Sequence, residues 1–170
     1  SIYFMLLRIA IFNGRIHDIE DLLLKLMREV ESTDNPIFLS CYELIIAYMY
    51  SFMGRKDYIP RWVRNVHPDQ TKLMSPARDS SYLLSAKVAL ELGEYERLRD
   101  LCTERLQDGS IGEKAMSIMI FNMYLGISEY KLGNGESAEK YMRISLEYAA
   151  ADNLFAILSE NVYTVPELME

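Results

Sequence analysis

Cysteine, histidine, tryptophan and proline are all scarce in this 170-residue chain, at two, two, one and five residues respectively. Cys41 and Cys102 each stand alone in an amphipathic run, which excludes a disulfide framework and any C-x-x-C site. The pattern suits two small core residues in a reducing, cytoplasmic setting. His17 and His67 have no second metal-type ligand at helical spacing, so neither marks a metal site. His17 reads as a first-turn surface residue and His67 as a loop residue. No apolar run approaches the roughly 18 uninterrupted residues of a membrane span. The longest, Leu44–Phe52, contains Ser51 and two tyrosines. A basic-then-apolar leader is missing, as is a phosphate loop: Gly109–Lys114 lacks the G-x-x-x-x-G-K-[ST] spacing and reads as a turn between helices. With 18 cations against 25 carboxylates the chain carries −7, which opposes direct contact with nucleic acid. No nucleophile sits in a recognisable local context, so the chain reads as a non-enzyme with no cofactor.

What is present is helix. Half the residues are apolar, enough for a continuous core, and they recur at spacings of three and four without two-residue alternation. Gly14, Gly54, Gly93 and Gly133 lie 40, 39 and 40 positions apart, each ending one helical run and opening the next. A fixed step of this size marks a stacked-repeat protein, whose hairpins bury their apolar faces only against neighbours. The pattern predicts an all-α chain, an α–α superhelix of helical hairpins with a period of about 40 residues. The hairpins fall near 1–34, 35–74, 75–112 and 113–152, and 153–170 begins a further repeat. The chain opens inside a helix and does not begin with Met, so it reads as one domain cut from a larger protein.

Within this frame the pattern predicts helices over about Ile2–Asn13, His17–Ser32, Pro36–Met53, Asp57–Asn65, Ala77–Leu92, Tyr95–Gln107, Glu113–Leu132 and Glu136–Ala151. A ninth begins near Asn153-Leu154 and another after Pro166. Asn35-Pro36 supplies a cap followed by proline at the first helical position. Pro60 is tolerable only if it lies in the first turn of the fourth helix. The stretch 55–78 holds Arg55, Lys56, Arg61, Arg64, Lys72 and Arg78 against Asp57 and Asp69, so 6 − 2 gives a local +4. Arg61, Trp62 and Arg64 there read either as a contact for a partner or anion, or as a core tryptophan with a solvated flank.

The fourth hairpin carries a more specific pattern. Leu125-Gly126, Tyr130, Gly133, Ala138, Tyr141, Ser145 and Leu146 stand where a tetratricopeptide (TPR) repeat has its Leu-Gly pair, aromatic, turn glycine, small residue, aromatic, second small residue and leucine. Gly126 and Ala138 let two helices approach closely. The other hairpins keep the turn but place Ile19, Ile59 and Leu98 where Ala138 stands, and Ala150 replaces the motif's late proline. Over Met119–Asn161, including the tail Ala151–Phe155 and Ser159-Glu160-Asn161, the chain resembles the TPR-like superhelical domain of bacterial LuxR-type regulators related to the maltose-regulon activator.

That resemblance implies a ligand- or partner-binding and signal-coupling module. ATPase and DNA-binding helix-turn-helix modules would lie outside this chain. The partners implied are a small-molecule inducer or a protein or peptide, together with flanking domains; no nucleic acid and no membrane would touch this segment. The alternative is a TPR scaffold binding a peptide or protein, with no DNA-binding module. Transferring the motif's inward positions marks Phe4, Arg8, Phe12, Leu44, Tyr48, Phe52, Leu83, Lys87, Glu91, Met123, Ile127, Tyr130 and Lys131 as the concave face. Of these, Phe4, Arg8, Tyr48, Phe52, Lys87, Tyr130 and Lys131 are the leading candidates for ligand contact, as stacking surfaces and cations.

Overall fold

A glycine that closes one helix and launches the next is the local unit of this protein. In the computed structural model, which describes residues 2–65, 75–108, 115–159, 161, 164, 165 and 167, Gly14, Gly54, Gly93 and Gly133 have φ of 65°, 69°, 73° and 85°. Side-chain-bearing residues resist this left-handed conformation and glycine does not. At each site the glycine N–H bonds the carbonyl three residues back, and the following N–H bonds the carbonyl five residues before it. The pairs are Gly14–Ile11 and Arg15–Ala10, Gly54–Ser51 and Arg55–Tyr50, Gly93–Leu90 and Glu94–Ala89, and Gly133–Tyr130 and Asn134–Glu129. This double bond is the Schellman closure, which satisfies carbonyls that a helix end leaves unpaired. The residue after each glycine also repeats: Arg15, Arg55, Glu94 and Asn134 have φ between −84° and −97° and ψ between 63° and 68°. One two-residue link therefore recurs four times, at the spacing the sequence shows.

The outer turns carry a related device. Asp34 and Asn153 are the only non-glycine residues at positive φ among the described residues, at 48° and 55°. Asp34 stands 20 positions after Gly14 and 20 before Gly54; Asn153 stands 20 after Gly133. Asp and Asn tolerate the left-handed region better than other side chains.

The described residues form helices α1 (Ile2–Phe12), α2 (Ile16–Thr33), α3 (Pro36–Phe52), α4 (Arg61–Asn65), α5 (Ser75–Leu92), α6 (Tyr95–Gln107), α7 (Ala115–Lys131), α8 (Gly135–Asp152) and α9 (Phe155–Ser159), with a 3-10 turn at Lys56–Tyr58. No strand occurs among them, so the fold is all-α. Among the described residues no helix is long and apolar enough to cross a membrane. The Asn35-Pro36 start is as expected: Asn35 Oδ1 accepts from the Ile37 N–H at 3.0 Å, with Pro36 in the first turn.

The fourth helix differs from its expected span of Asp57–Asn65. Ile59 is extended, at φ −74° and ψ 124°, and divides a 3-10 turn from the five-residue α4. The cause is Pro60, whose ring drives the preceding residue out of the helical region. Pro60 thus precedes the helix, and its carbonyl accepts from the Val63 N–H at 3.1 Å. The expected link 66–74, the turn 109–112 and the helix after Pro166 lie outside the described residues.

The chain divides into two compact units, residues 1–88 and 89–170. In the first, α1 packs on α2 and α2 on α3 around Leu7, Ala10, Ile19, Leu23, Leu26, Val30, Tyr42, Ile45, Tyr48 and Met49. In the second, α6 packs on α7 and α7 on α8, and α9 touches both α7 and α8. The stretch Met119–Glu129 is buried along its whole length. Cys102 is buried on α6, as expected of a small core residue, whereas Cys41 is only partly covered. His17 is exposed, and Asp18 lies in the first turn of α2, where the helix dipole favours it.

Candidate functional site

α1 and α3 are the first helices of successive hairpins, and the candidate side chains they carry meet. The Phe4 and Tyr48 rings stand edge to face, with centroids 5.3 Å apart and planes at 66°. One turn further along α3, the Lys87 ammonium of α5 lies 5.5 Å from the centre of the Phe52 ring. Phe4–Tyr48 and Phe52–Lys87 are therefore two contacts, one ring-edge and one cation–π, set one turn apart along α3; together they make a strip that reaches α1 at one pair and α5 at the other. Each contact of this kind contributes about 0.5–1.5 kcal/mol.

The strip is built into the packing more than it is open to solvent. Lys87 is only 3% exposed and Tyr48 8%, while Phe4 and Phe52 are half-buried and offer their remaining surface. A lysine with its stem buried and its charge on an aromatic face is a fixed feature, unlike a solvated surface cation. Arg8, one turn after Phe4 on α1, is half-buried. Of the other inward positions, Leu44, Met123 and Ile127 are at most 2% exposed and belong to the core, and Leu83 and Glu91 are half-buried. Phe12 lies at the end of α1; its side chain is outside the described set.

In the second unit Tyr130 is half-buried and Lys131 exposed, with the Lys131 ammonium 5.8 Å from the Tyr130 ring centre. Beside them the Asn134 side-chain amide donates to Glu129 Oε2 at 2.6 Å, bracing the Gly133 turn from a mostly buried carboxylate. The same hairpin explains the serine where a TPR repeat has alanine. Ser145 is fully buried, and its hydroxyl donates to the Met119 carbonyl of α7 at 2.9 Å.

Trp62 is half-buried and its indole N–H donates to Glu43 Oε2 at 2.6 Å, so α4 is fastened to α3. Arg61 is exposed and Arg64 half-buried. Arg55 of the same basic stretch reaches Glu20 at 3.4 Å. Folding thus brings Glu43 and Glu20 to a stretch that is +4 in sequence, and lowers its local charge. Sequence reasoning missed this, and it also missed Arg105, which is 2% exposed and paired with Asp108 at 2.8 Å. Arg105 stands at the position of Ser145 in the fourth hairpin; a charged residue there gives no sequence sign of burial.

Two tyrosines and both thiols are shifted upward. The Tyr3 hydroxyl donates to Glu29, and that bond, with minor burial and the carboxylate's charge, holds its proton more tightly than usual. Burial raises Tyr42, with smaller contributions from Tyr50 and Glu31. Burial raises Cys41, and raises Cys102 well above the ordinary thiol value. A thiol held protonated is a poor nucleophile, so neither cysteine has the makings of a reactive centre. No cluster of three or more potential metal ligands occurs among the described residues.

Comparison of the chain with protein families, with curated proteins and with solved structures found no match.

Proposed function

We propose that the hairpins stack as a TPR-like superhelix with a period of about 40 residues, and that the chain is the binding and signal-coupling module of a cytoplasmic LuxR-type regulator. In this reading an inducer or partner settles on the face formed by the first helices of the hairpins, and ATPase and helix-turn-helix modules lie outside the chain. The observation that carries the binding role is the strip Phe4–Tyr48–Phe52–Lys87, which links first helices across α1, α3 and α5. Aromatic edges and a ring-held cation suit stacking on a sugar or holding a peptide carboxylate. A ligand bridging these helices stabilises one arrangement of them, and it signals only by preferring that arrangement over another. The regulator assignment rests on the resemblance over Met119–Asn161.

A thermal-shift screen against sugars and short peptides tests the binding role. The expected result is a rise in melting temperature with one class, lost in Phe4→Leu and Phe52→Leu, which keep bulk but remove the ring. A screen in which neither class shifts the melting temperature contradicts it. The second reading, a peptide- or protein-binding scaffold, is favoured by Phe38, Leu39 and Tyr58, which are 52%, 47% and 64% exposed. It predicts stabilisation by peptides alone. A coding region without a helix-turn-helix segment would remove the regulator half of the proposal and leave the scaffold.

A further inference from the structure

The charges of the first unit are sorted by helix. α2 carries five carboxylates and two cations. Three of those carboxylates are already engaged: Asp18 with Arg15, Glu20 with Arg55, and Glu29 with the Tyr3 hydroxyl. The first helices α1 and α3 carry one carboxylate between them, Glu43, and it accepts the Trp62 indole N–H. The inward positions of this unit include two charged residues, Arg8 and Lys87, and both are cations. In a chain of net charge −7, the face proposed to receive a ligand thus holds only positive charge at its inward positions here.

The two cations stand differently. Lys87 is 3% exposed, with its ammonium 5.5 Å from the Phe52 ring centre, so it acts through its field and not by contact. A charge held out of water is screened less than a solvated one. Arg8 is half-buried and reaches the surface. Two chain reversals separate α1 from α3, so the two helices run the same way. Arg8 follows Phe4 by one turn and Phe52 follows Tyr48 by one turn, so both lie to the same side of the Phe4–Tyr48 contact. A guanidinium has five N–H donors in a planar fork that matches a carboxylate, so contacts within the protein leave donors for a ligand. Half-buried Phe4 and Phe52 offer ring surface beside it.

We infer that the ligand of this face is an organic carboxylate with an apolar or aromatic body. Arg8 takes the carboxylate, Phe4 and Phe52 receive the body, and the buried charge of Lys87 favours the anion over a neutral analogue. This names the ligand class for the binding role proposed above and rests on that role. A neutral sugar could use the rings but would gain nothing from the two cations. A free acid and the end of a peptide chain present the same group.

Calorimetric titration of the full chain with N-acetyl-phenylalanine and with its uncharged amide tests this. A pentaglycyl-phenylalanine peptide, with a free or an amidated C-terminus, forms the second pair of probes, and glucose the neutral sugar. In at least one pair the acid should bind about tenfold or more tighter than the amide. The pair showing the tighter acid tells a small acid from a chain end. Arg8→Gln should bring the acid-to-amide ratio close to one, and Arg8→Lys, which keeps the charge without the fork, should retain part of it. Lys87→Met should lower the ratio by about threefold, and Arg28→Gln, at an exposed cation on α2, should leave it unchanged. An unchanged helical circular dichroism spectrum and melt establish that each variant folds. Acid and amide binding equally, or glucose binding alone, with binding lost in Phe52→Leu, would overturn the inference and leave the binding role standing. An acid preference that survives Arg8→Gln would overturn it too. No binding by any probe would overturn the inference and count against the binding role as well.

Discussion

The first and fourth hairpins share one turn and differ in how their helices meet. At Gly14 and Gly133 the φ angles are 65° and 85°, the hydrogen bonds have the same spacing, and the following residue takes the same conformation. Yet α7 and α8 approach each other far more extensively than α1 and α2 do. Seven residues before the glycine and five after it stand Leu7 and Ile19 in the first hairpin, and Gly126 and Ala138 in the fourth, all four buried. A Cβ on Gly126 would lie 3.2 Å from both the Ala138 carbonyl oxygen and the Met142 nitrogen. The turn is therefore a local backbone property fixed by glycine, whereas the closeness of the helices is set by the volume of one facing pair. In the two middle hairpins the same positions hold Ala47 and Ile59, and Ala86 and Leu98, each at most 4% exposed.

This contrast can be broken from either side. The largest effect is expected for Leu7→Ala, which empties a fully buried site in the first hairpin and should cost about 2–5 kcal/mol in a urea melt. The same alanine at residue 126 adds a Cβ 3.2 Å from two backbone atoms of α8, which must give by a few tenths of an ångström; Gly126→Ala should cost about 1–3 kcal/mol despite alanine's higher helix propensity. Stabilisation by Gly126→Ala would show that the close approach is not what holds α7 and α8. Ser145→Ala restores the usual TPR residue but leaves the Met119 carbonyl without its donor, so it should cost about 1 kcal/mol. A gain there would remove the account given for that serine.

The smallest effects come from titration. Cys41, Cys102 and Tyr42 all have raised pKa values through burial, so each releases its proton more readily when unfolded. Their contribution to stability is complete below the ordinary pKa and falls as pH rises beyond about 9. Melting temperature should decline over that range, and iodoacetamide at neutral pH should label partly covered Cys41 well before buried Cys102. Equal labelling rates would contradict the burial of Cys102.

The turns and caps were legible in the sequence because their physics is local. Glycine reports a positive φ by itself, and Asn35-Pro36 carries its own cap and first residue. Asp34 and Asn153 left a fainter trace: both are residue types that tolerate the left-handed region, and they fall midway between glycine turns, but many other Asp and Asn residues do not adopt it. The fourth helix is less legible because Pro60 fits either inside a first turn or just ahead of one, and only the extended backbone of Ile59 decides between them. The candidate face was legible as positions but not as exposure. A lysine at position 87 or an arginine at 105 looks solvated in a sequence, and only the neighbours brought by folding show that each is buried.

One glycine-dependent link is repeated four times along this chain. Gly14→Ala, Gly54→Ala, Gly93→Ala and Gly133→Ala, measured side by side by thermal and urea unfolding, test it most directly. An added Cβ meets nothing closer than 3.9 Å at any of the four, so only the backbone conformation is disturbed. Gly135, in the first turn of α8 and equally uncrowded, provides the control at an ordinary φ. Similar losses of about 1–2 kcal/mol are expected at the four turn glycines, and no loss for Gly135→Ala. A neutral or stabilising alanine at any of the four turns would contradict it.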